Sequence, residues 1–254
     1  MLKKKNNLSL ELQVLLKKLK FKKGDNILLH SNIAGLYQFN CKDIKKNMNE
    51  LIFLIRKKIG KKGTLLIPTF NYDFLKGKKI DIAKQNSQVG FLGNYLLKKN
   101  KKNKTKDPIF SYLVLGNLKK NFLKSSYIET FGKNSSFELI LKNKFKIFCF
   151  CCSPNKITFL HYIEKINNVP YRFDKKFTGI LLKNKKKIKQ NIIYFAGKKT
   201  INYEIKNTKI VNLIDDRKFL ETNFGRFNCY ITDAYFLYRK ISQKLKMNKY
   251  FLIK

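Results

Sequence analysis

A histidine and a glutamate stand three positions apart in the segment TFLHYIEKINNVPYR, residues 158–172. His161 is one of two histidines in 254 residues, and the chain has only 16 acidic residues, of which Glu164 is one. If residues 156–166 form a helix, both side chains project from one face. A histidine titrates near neutral pH, and a neighbouring carboxylate raises its basicity and fixes its orientation. The spacing indicates an acid/base pair, although an incidental surface pair would have the same pattern.

Polar residues also follow two apolar runs that are typical of buried strands. They are His30, Ser31 and Asn32 at the end of NILLH (26–30), and Thr69 and Phe70 at the end of GTLLIPTF (63–70). Ligands of α/β sheets bind beyond the carboxyl ends of the strands. We therefore expect the two ends to form a crevice for a polar or phosphate-bearing ligand.

The elements that must position these residues alternate along the first 170 residues. Strand-like runs at 26–30, 63–70, 111–116 and 146–152 are separated by segments with helical periodicity. The alternation predicts an α/β/α sandwich around a mixed, largely parallel sheet.

The last third of the chain has a different pattern. Residues 192–196, 209–214 and 228–234 are predicted to be successive strands, and residues 234–247 a closing helix. No linker separates the two parts. We predict a single domain over 1–254, with a motif-bearing α/β part at 1–175 and a β-rich part at 176–254.

The formal net charge of +40 suggests a polyanionic partner, but only five of the 56 basic residues are arginine. Recognition of phosphates and bases favours the planar fork of arginine. Lysine, asparagine, isoleucine and phenylalanine are abundant together, as in proteomes with AT-rich codons. We expect a solvated lysine surface and no specific nucleic-acid partner. A lysine-rich nucleic-acid-binding protein with aromatic stacking platforms is the alternative.

Other classes of protein are disfavoured. The longest apolar stretches, 50–55 and 145–152, are far shorter than the roughly 20 residues of a membrane span. The N-terminal segment is predicted to be an amphipathic helix of a cytoplasmic protein. Five cysteines, an odd number in a long chain, do not suggest a disulfide scaffold, and no second Cys or His pair has zinc-site spacing. No metal is expected.

Six segments, in order and with natural spacing, carry a family resemblance. They are GDNILLHSNIAGL (24–36), GTLLIPTFNYDF (63–74), SQVGFLGNYL (87–96), DPIFSYLVLG (107–116), FGKNSSFELI (131–140) and TFLHYIEKINNVPYR (158–172). Over roughly its first 180 residues the chain resembles the aminoglycoside 3-N-acetyltransferase family. The resemblance implies an enzyme that transfers an acetyl group from acetyl-coenzyme A to an amine of an aminoglycoside or related amino sugar.

The resemblance also implies roles for particular residues. His161 matches the histidine of the family and Glu164 the acid that follows it. Among the few acids near the motifs, we choose Asp107 as the residue that holds the substrate amine. Residues expected to approach the coenzyme are His30, Ser31, Asn32, Ile33, Thr69, Phe70 and Ser111. Residues expected to contact the amine substrate are Tyr72, Asp73, Tyr171 and Arg172.

The chemistry requires a base, because an amine is protonated at neutral pH and has no lone pair with which to attack. The tetrahedral oxyanion needs hydrogen-bond donors, for which the amides of residues 31–33 are candidates. The form DPIFS (107–111) is similar to relatives that act on sugars of surface polysaccharides, so a nucleotide-linked amino sugar is a second candidate substrate. A member of the fold without activity is a further alternative, and the number of subunits is open.

Overall fold

The computed structural model describes residues 7–39, 43–183, 186–215 and 217–254. The strands are β1 Asn26–Ser31, β2 Thr64–Pro68, β3 Ile80–Asp81, β4 Tyr112–Gly116, β5 Lys146–Phe150, β6 Arg172–Lys183, β7 Lys186–Gly197, β8 Phe219–Phe224 and β9 Phe227–Asp233. The helices are α1 Leu8–Lys18, α2 Ile44–Ile59, α3 Phe91–Asn100, α4 Lys119–Leu123, α5 Ser136–Lys142, α6 Phe159–Ile166, α7 Asn207–Val211 and α8 Ala234–Met247.

A six-stranded sheet of order β4-β2-β1-β5-β9-β8 forms the centre of the molecule. The strands β2, β1 and β5 are parallel, whereas β4, β9 and β8 pair antiparallel with their neighbours. The predicted α/β fold with a mixed sheet is confirmed, but the parallel share is smaller than predicted. One reason is the tight turn between β8 and β9, since short turns join only antiparallel strands.

Two apolar cores lie on the two faces of this sheet. Along β1 the side chains alternate, so Ile27 and Leu29 belong to the core formed with α1, α2 and α3. Leu28 belongs to the core formed with α5, α6 and α8. The helices thus cover both faces, which confirms the predicted α/β/α layers.

A second sheet of order β3-β6-β7 packs on the α6 side, and its centre is the long β6–β7 hairpin. The predicted strand at 192–196 lies inside β7, and the predicted strand at 228–234 matches β9. The predicted strand at 209–214 is wrong, since α7 and a turn occupy this segment. A short apolar run is compatible with a strand or a helix. Here the backbone N–H groups bond to carbonyls three or four residues earlier in the chain, which is the helical pattern.

The last two strands, β8 and β9, belong to the central sheet. β9 pairs with β5 across the register Lys146↔Asp233 to Cys149↔Tyr230, so the last third of the chain completes the central sheet. This continuity supports the proposal of a single domain over 1–254. Within the described ranges, no helix is both long enough and apolar enough to cross a membrane.

The core formed with α1, α2 and α3 generates a stability prediction. Phe148 is fully buried and its ring packs edge-on to Phe21 at 5.2 Å. We expect Phe148→Ala to lower the free energy of unfolding by about 3–5 kcal/mol in urea titrations followed by circular dichroism. Phe53, which is 57% exposed, is the matched control, and Phe53→Ala should cost less than about 1 kcal/mol. Equal losses in the two variants would contradict this packing.

Candidate active site

Helix α6 brings the predicted acid/base pair into contact. His161 Nδ1 lies 2.6 Å from Glu164 Oε2, one turn along the helix. Phe159, Leu160 and Ile163 anchor the other side of α6 in the core. The His161 side chain is 29% exposed and that of Glu164 is fully buried, so this is not an incidental surface pair.

The buried carboxylate of Glu164 has two further partners. Tyr171 donates its hydroxyl to Oε1 at 2.9 Å. Arg172 Nε lies 2.8 Å from Oε2 in an ion pair without hydrogen-bond alignment, and the guanidinium stacks 5.0 Å from the ring centroid of Tyr203. A carboxylate removed from water is stable only with such compensation, because its desolvation costs several kcal/mol.

This geometry changes the expected role of Tyr171 and Arg172. The sequence predicts substrate contacts for both, but Tyr171 is fully buried and the Arg172 side chain is 6% exposed. Both lie against Glu164 and are engaged by it. The structure therefore favours a role in holding the carboxylate over a direct contact with the substrate.

The hydrogen bond to Glu164 also selects a state of the His161 ring. A carboxylate at Nδ1 favours the tautomer with the proton on Nδ1. The lone pair then lies on Nε2, the ring nitrogen that Glu164 does not engage. The edge-on ring of Phe131, at 6.1 Å, packs beside the imidazole. These contacts hold the imidazole in a fixed orientation.

A cavity of about 360 Å³ lies at the carboxyl ends of β1, β2 and β5. Its walls include His30 and Ser31 at the end of β1, Phe70 and Tyr72 after β2, and Cys152 and Thr158 after β5. Thr158 is the N-cap residue of α6, so the cavity adjoins the helix that carries His161. The volume is within the range of small-molecule sites, and the position is that of the predicted crevice.

Helix α3 closes one side of this cavity through glycines. Gly90 precedes the helix with a φ of 74°, and both Gly90 and Gly93 line the cavity. A Cβ atom on Gly93 would lie 2.7 Å from the carbonyl oxygen of Pro68. Glycine at this position lets the helix approach the end of β2 closely.

Four residues expected to approach the coenzyme do not line the cavity. Thr69 and Ser111 are fully buried, with their hydroxyl oxygens 2.9 Å apart, and Ser111 Oγ donates to the Thr69 carbonyl at 2.7 Å. Asn32 Oδ1 accepts the N–H of Ala34, and Ile33 packs against the core. In this structure the four residues shape the strand ends.

Asp107 and Asp73 are engaged in local structure. Asp107 is 4% exposed, and its Oδ1 accepts the N–H groups of Ile109 and Phe110 at 2.8 and 2.9 Å. Burial raises the pKa of this carboxyl to about 6, although the two hydrogen bonds act to lower it. Asp73 forms an ion pair with Lys78 at 3.1 Å, which lowers the pKa of Asp73. Neither carboxylate lines the cavity.

The end of β5 was missed as a source of cavity residues. Cys152 and Lys156 line the cavity, yet the sequence alone suggests only buried thiols in this segment. The available signal was position, because β5 is a third parallel strand that ends at the same edge. Among the described residues, no three His, Cys, Asp or Glu side chains group so that they could hold a metal ion.

The family model described as aminoglycoside 3-N-acetyltransferase matches residues 28–246. The chain belongs to the aminoglycoside 3-N-acetyltransferase family. The resemblance inferred from six sequence segments is confirmed, and with it the class of enzyme, an N-acetyltransferase. No curated protein sequence matches the chain.

Several solved structures share this fold at low sequence identity. AAC-IIIb, solved with CoASH, superposes with a TM-score of 0.78 at 14% identity, covering 94% of this chain and 96% of that one. An AAC(3)-IVa variant in complex with a gentamicin superposes with a TM-score of 0.75 at 14% identity, covering 100% of this chain and 93% of that one. The YokD protein from Bacillus subtilis superposes with a TM-score of 0.74 at 13% identity, covering 94% of this chain and 99% of that one. At such identities the likeness establishes the fold.

Arg172 generates a prediction about the buried charge of Glu164. Arg172→Met leaves the carboxylate buried without its guanidinium partner, so we expect a loss of about 3–5 kcal/mol in the free energy of unfolding. Glu164→Gln combined with Arg172→Met should lose less than Arg172→Met alone, since no uncompensated charge is left. Urea titrations of the two single variants and the double variant measure the coupling. Strictly additive losses would contradict the ion pair.

Asp107 generates a prediction about pH. The pKa of Asp107 is raised from 3.8 to about 6 on folding, so ionisation costs stability as the pH rises between these values. Asp107→Asn keeps the turn acceptor without a charge. As the pH rises from about 4 to about 6, the free energy of unfolding of Asp107→Asn should increase relative to that of wild type, by about 3 kcal/mol at most. Above this range the difference should be constant.

Asp215→Asn is the control of opposite sign. Partial burial raises the pKa of Asp215, but hydrogen bonds from three backbone N–H groups lower it by more, so the pKa of Asp215 is lowered on folding. Wild type should therefore gain stability over Asp215→Asn as the pH rises through the acid range. Urea titrations at a series of pH values measure both differences, and parallel trends would contradict the assignment.

Proposed function

We propose that this chain transfers the acetyl group of acetyl-coenzyme A to an amine of an aminoglycoside or related amino sugar, with His161 as the base. The observation that carries the proposal is the contact of His161 with a buried, compensated Glu164, next to the cavity at the strand ends. The family membership supports it. The neighbours solved with CoASH and with a gentamicin support the donor and the class of acceptor.

The base acts on the acceptor amine. The acceptor first loses its ammonium proton to solvent. His161 Nε2 then takes a proton from the uncharged amine as its nitrogen attacks the thioester carbonyl carbon and a C–N bond forms. The tetrahedral intermediate then collapses, the C–S bond breaks and the coenzyme leaves as a thiolate. The imidazolium returns its proton to the sulfur, which balances the reaction. Glu164 stabilises the transient imidazolium through Nδ1.

The coenzyme occupies the cavity in this proposal. Ser31 and Phe70 contact the acyl-pantetheine arm, and His30 lies at the same strand end. Lys156 also lines the cavity, where it favours the phosphates of the coenzyme. Close placement of thioester and amine supplies much of the remaining rate. Tyr72 lines the cavity and is proposed as a contact to the acceptor. Asp73 pairs with Lys78 outside the cavity lining, and its contact to the acceptor is proposed from the sequence alone.

The charges near α6 favour an acceptor with few positive charges. Lys165 forms ion pairs with both Glu129 and Asp174, so both acids already share a cationic partner. A polycationic antibiotic prefers an acidic pocket. A nucleotide-linked amino sugar is therefore a second candidate acceptor, and comparison of its turnover with that of gentamicin and a monoamino sugar separates the two.

Replacement of His161 tests the proposal. We expect His161→Ala to lower the rate of free-thiol release from acetyl-coenzyme A with amino sugars by about 10²–10⁴-fold, because the amine loses its base. Circular dichroism should remain that of the wild type. Glu221→Gln, on β8 at the edge of the sheet, is the control and should keep full activity. Near-normal turnover of His161→Ala would show that another group takes the proton.

A further inference from the structure

His30 is a buried imidazole with an unsatisfied nitrogen. It is 9% exposed, and its Nε2 has no hydrogen-bond partner within the described part of the chain. Buried polar atoms are nearly always hydrogen-bonded, so an exception calls for an explanation. His30 also lines the cavity, which suggests that a ligand supplies the missing partner.

The side chain of His30 is on the same side of the sheet as His161. His30 lies two residues after Leu28 on β1, so the two side chains share a face. Cys149, the register partner of His30 on β5, shares this face, and both Leu28 and Cys149 belong to the core that contains α6. His30 lines the cavity, and Thr158 at the start of α6 lines it as well, so the helix that carries His161 adjoins the same cavity.

The environment makes His30 unsuitable as a base. Burial lowers the pKa of His30 to about 4, so the ring is neutral at pH 7. A neutral imidazole with its proton on Nε2 is a hydrogen-bond donor of constant charge. Negative charge develops on the carbonyl oxygen when an amine attacks a thioester, and fixed donors in a site without water stabilise that charge strongly.

We propose that Nε2–H of His30 donates a hydrogen bond to the carbonyl oxygen of the bound acetyl thioester and to the oxyanion formed from it. This inference rests on the proposed function. No proton is transferred in the step: the carbonyl π electrons move to oxygen when the C–N bond forms, and they return when the C–S bond breaks. His30 and His161 then have separate roles, the first as oxyanion donor and the second as base.

Three variants test the donor role kinetically. His30→Met removes the donor, and we expect kcat to fall about 10²–10³-fold, with KM for acetyl-coenzyme A changed by less than about threefold. His30→Gln retains an N–H donor and should recover part of the loss. Cys149→Ala, at the register partner on the same face, is the control and should keep full activity. Equal kcat values for His30→Met and wild type would overturn the proposal.

A spectroscopic measurement separates donation from a packing role. S-Acetonyl-coenzyme A is a ketone analogue that cannot transfer an acetyl group, and ¹³C in its carbonyl group isolates the stretching band. We expect a lower stretching frequency on wild type than on His30→Met. The chain has two histidines, so ¹⁵N-histidine spectra resolve them, and the Nε2 signal of His30 in wild type should shift on binding. Identical stretching frequencies and an unshifted Nε2 signal would overturn the donor role.

The same experiments distinguish failure of this inference from failure of the proposed function. If wild type neither binds S-acetonyl-coenzyme A in calorimetry nor turns over any amine, the proposed function fails and the role of His30 with it. If wild type binds the analogue and acetylates an amine while the carbonyl band is insensitive to His30, the role of His30 alone fails.

Discussion

The compensation of one buried charge, the carboxylate of Glu164, is the constraint on which the site depends. A helix that buries a carboxylate completely must be met by donors and a cation from another part of the chain. Tyr171 and Arg172 supply them at the point where the chain leaves α6 and enters β6. The same requirement that stabilises Glu164 therefore fixes α6 to the second sheet and orients His161.

Acidic residues are few in this chain, and several of them pair with lysines. Asp25 pairs with Lys146 at 2.7 Å, and Glu138 both pairs with Lys142 and accepts the N–H of Asn134 at the start of α5. Such acids hold elements together at the surface. Glu164 differs because its partners include an imidazole, and burial protects this pair from the surrounding lysines and from screening by salt.

The parallel centre of the sheet concentrates polar groups at one edge. The carboxyl ends of β1, β2 and β5 meet there, and the cavity forms where their connections diverge. His161, the proposed base, lies on α6, whose first turn adjoins this edge, while His30 lies on the sheet itself. In the proposed reaction, groups from a strand and from a helix act on one carbonyl from different directions, which a single element could not achieve.

The sequence by itself determined most of the periodic elements, the α/β/α class, the family and the placement of His161 and Glu164 on one face of a helix, because these follow from patterns within one segment or from ordered motifs. Tertiary structure decided which partners the buried groups have. Arg172 is directed to Glu164 rather than to a ligand, and Thr69 is bonded to Ser111. Desolvation and hydrogen-bond satisfaction depend on which elements meet, and no local pattern contains that information.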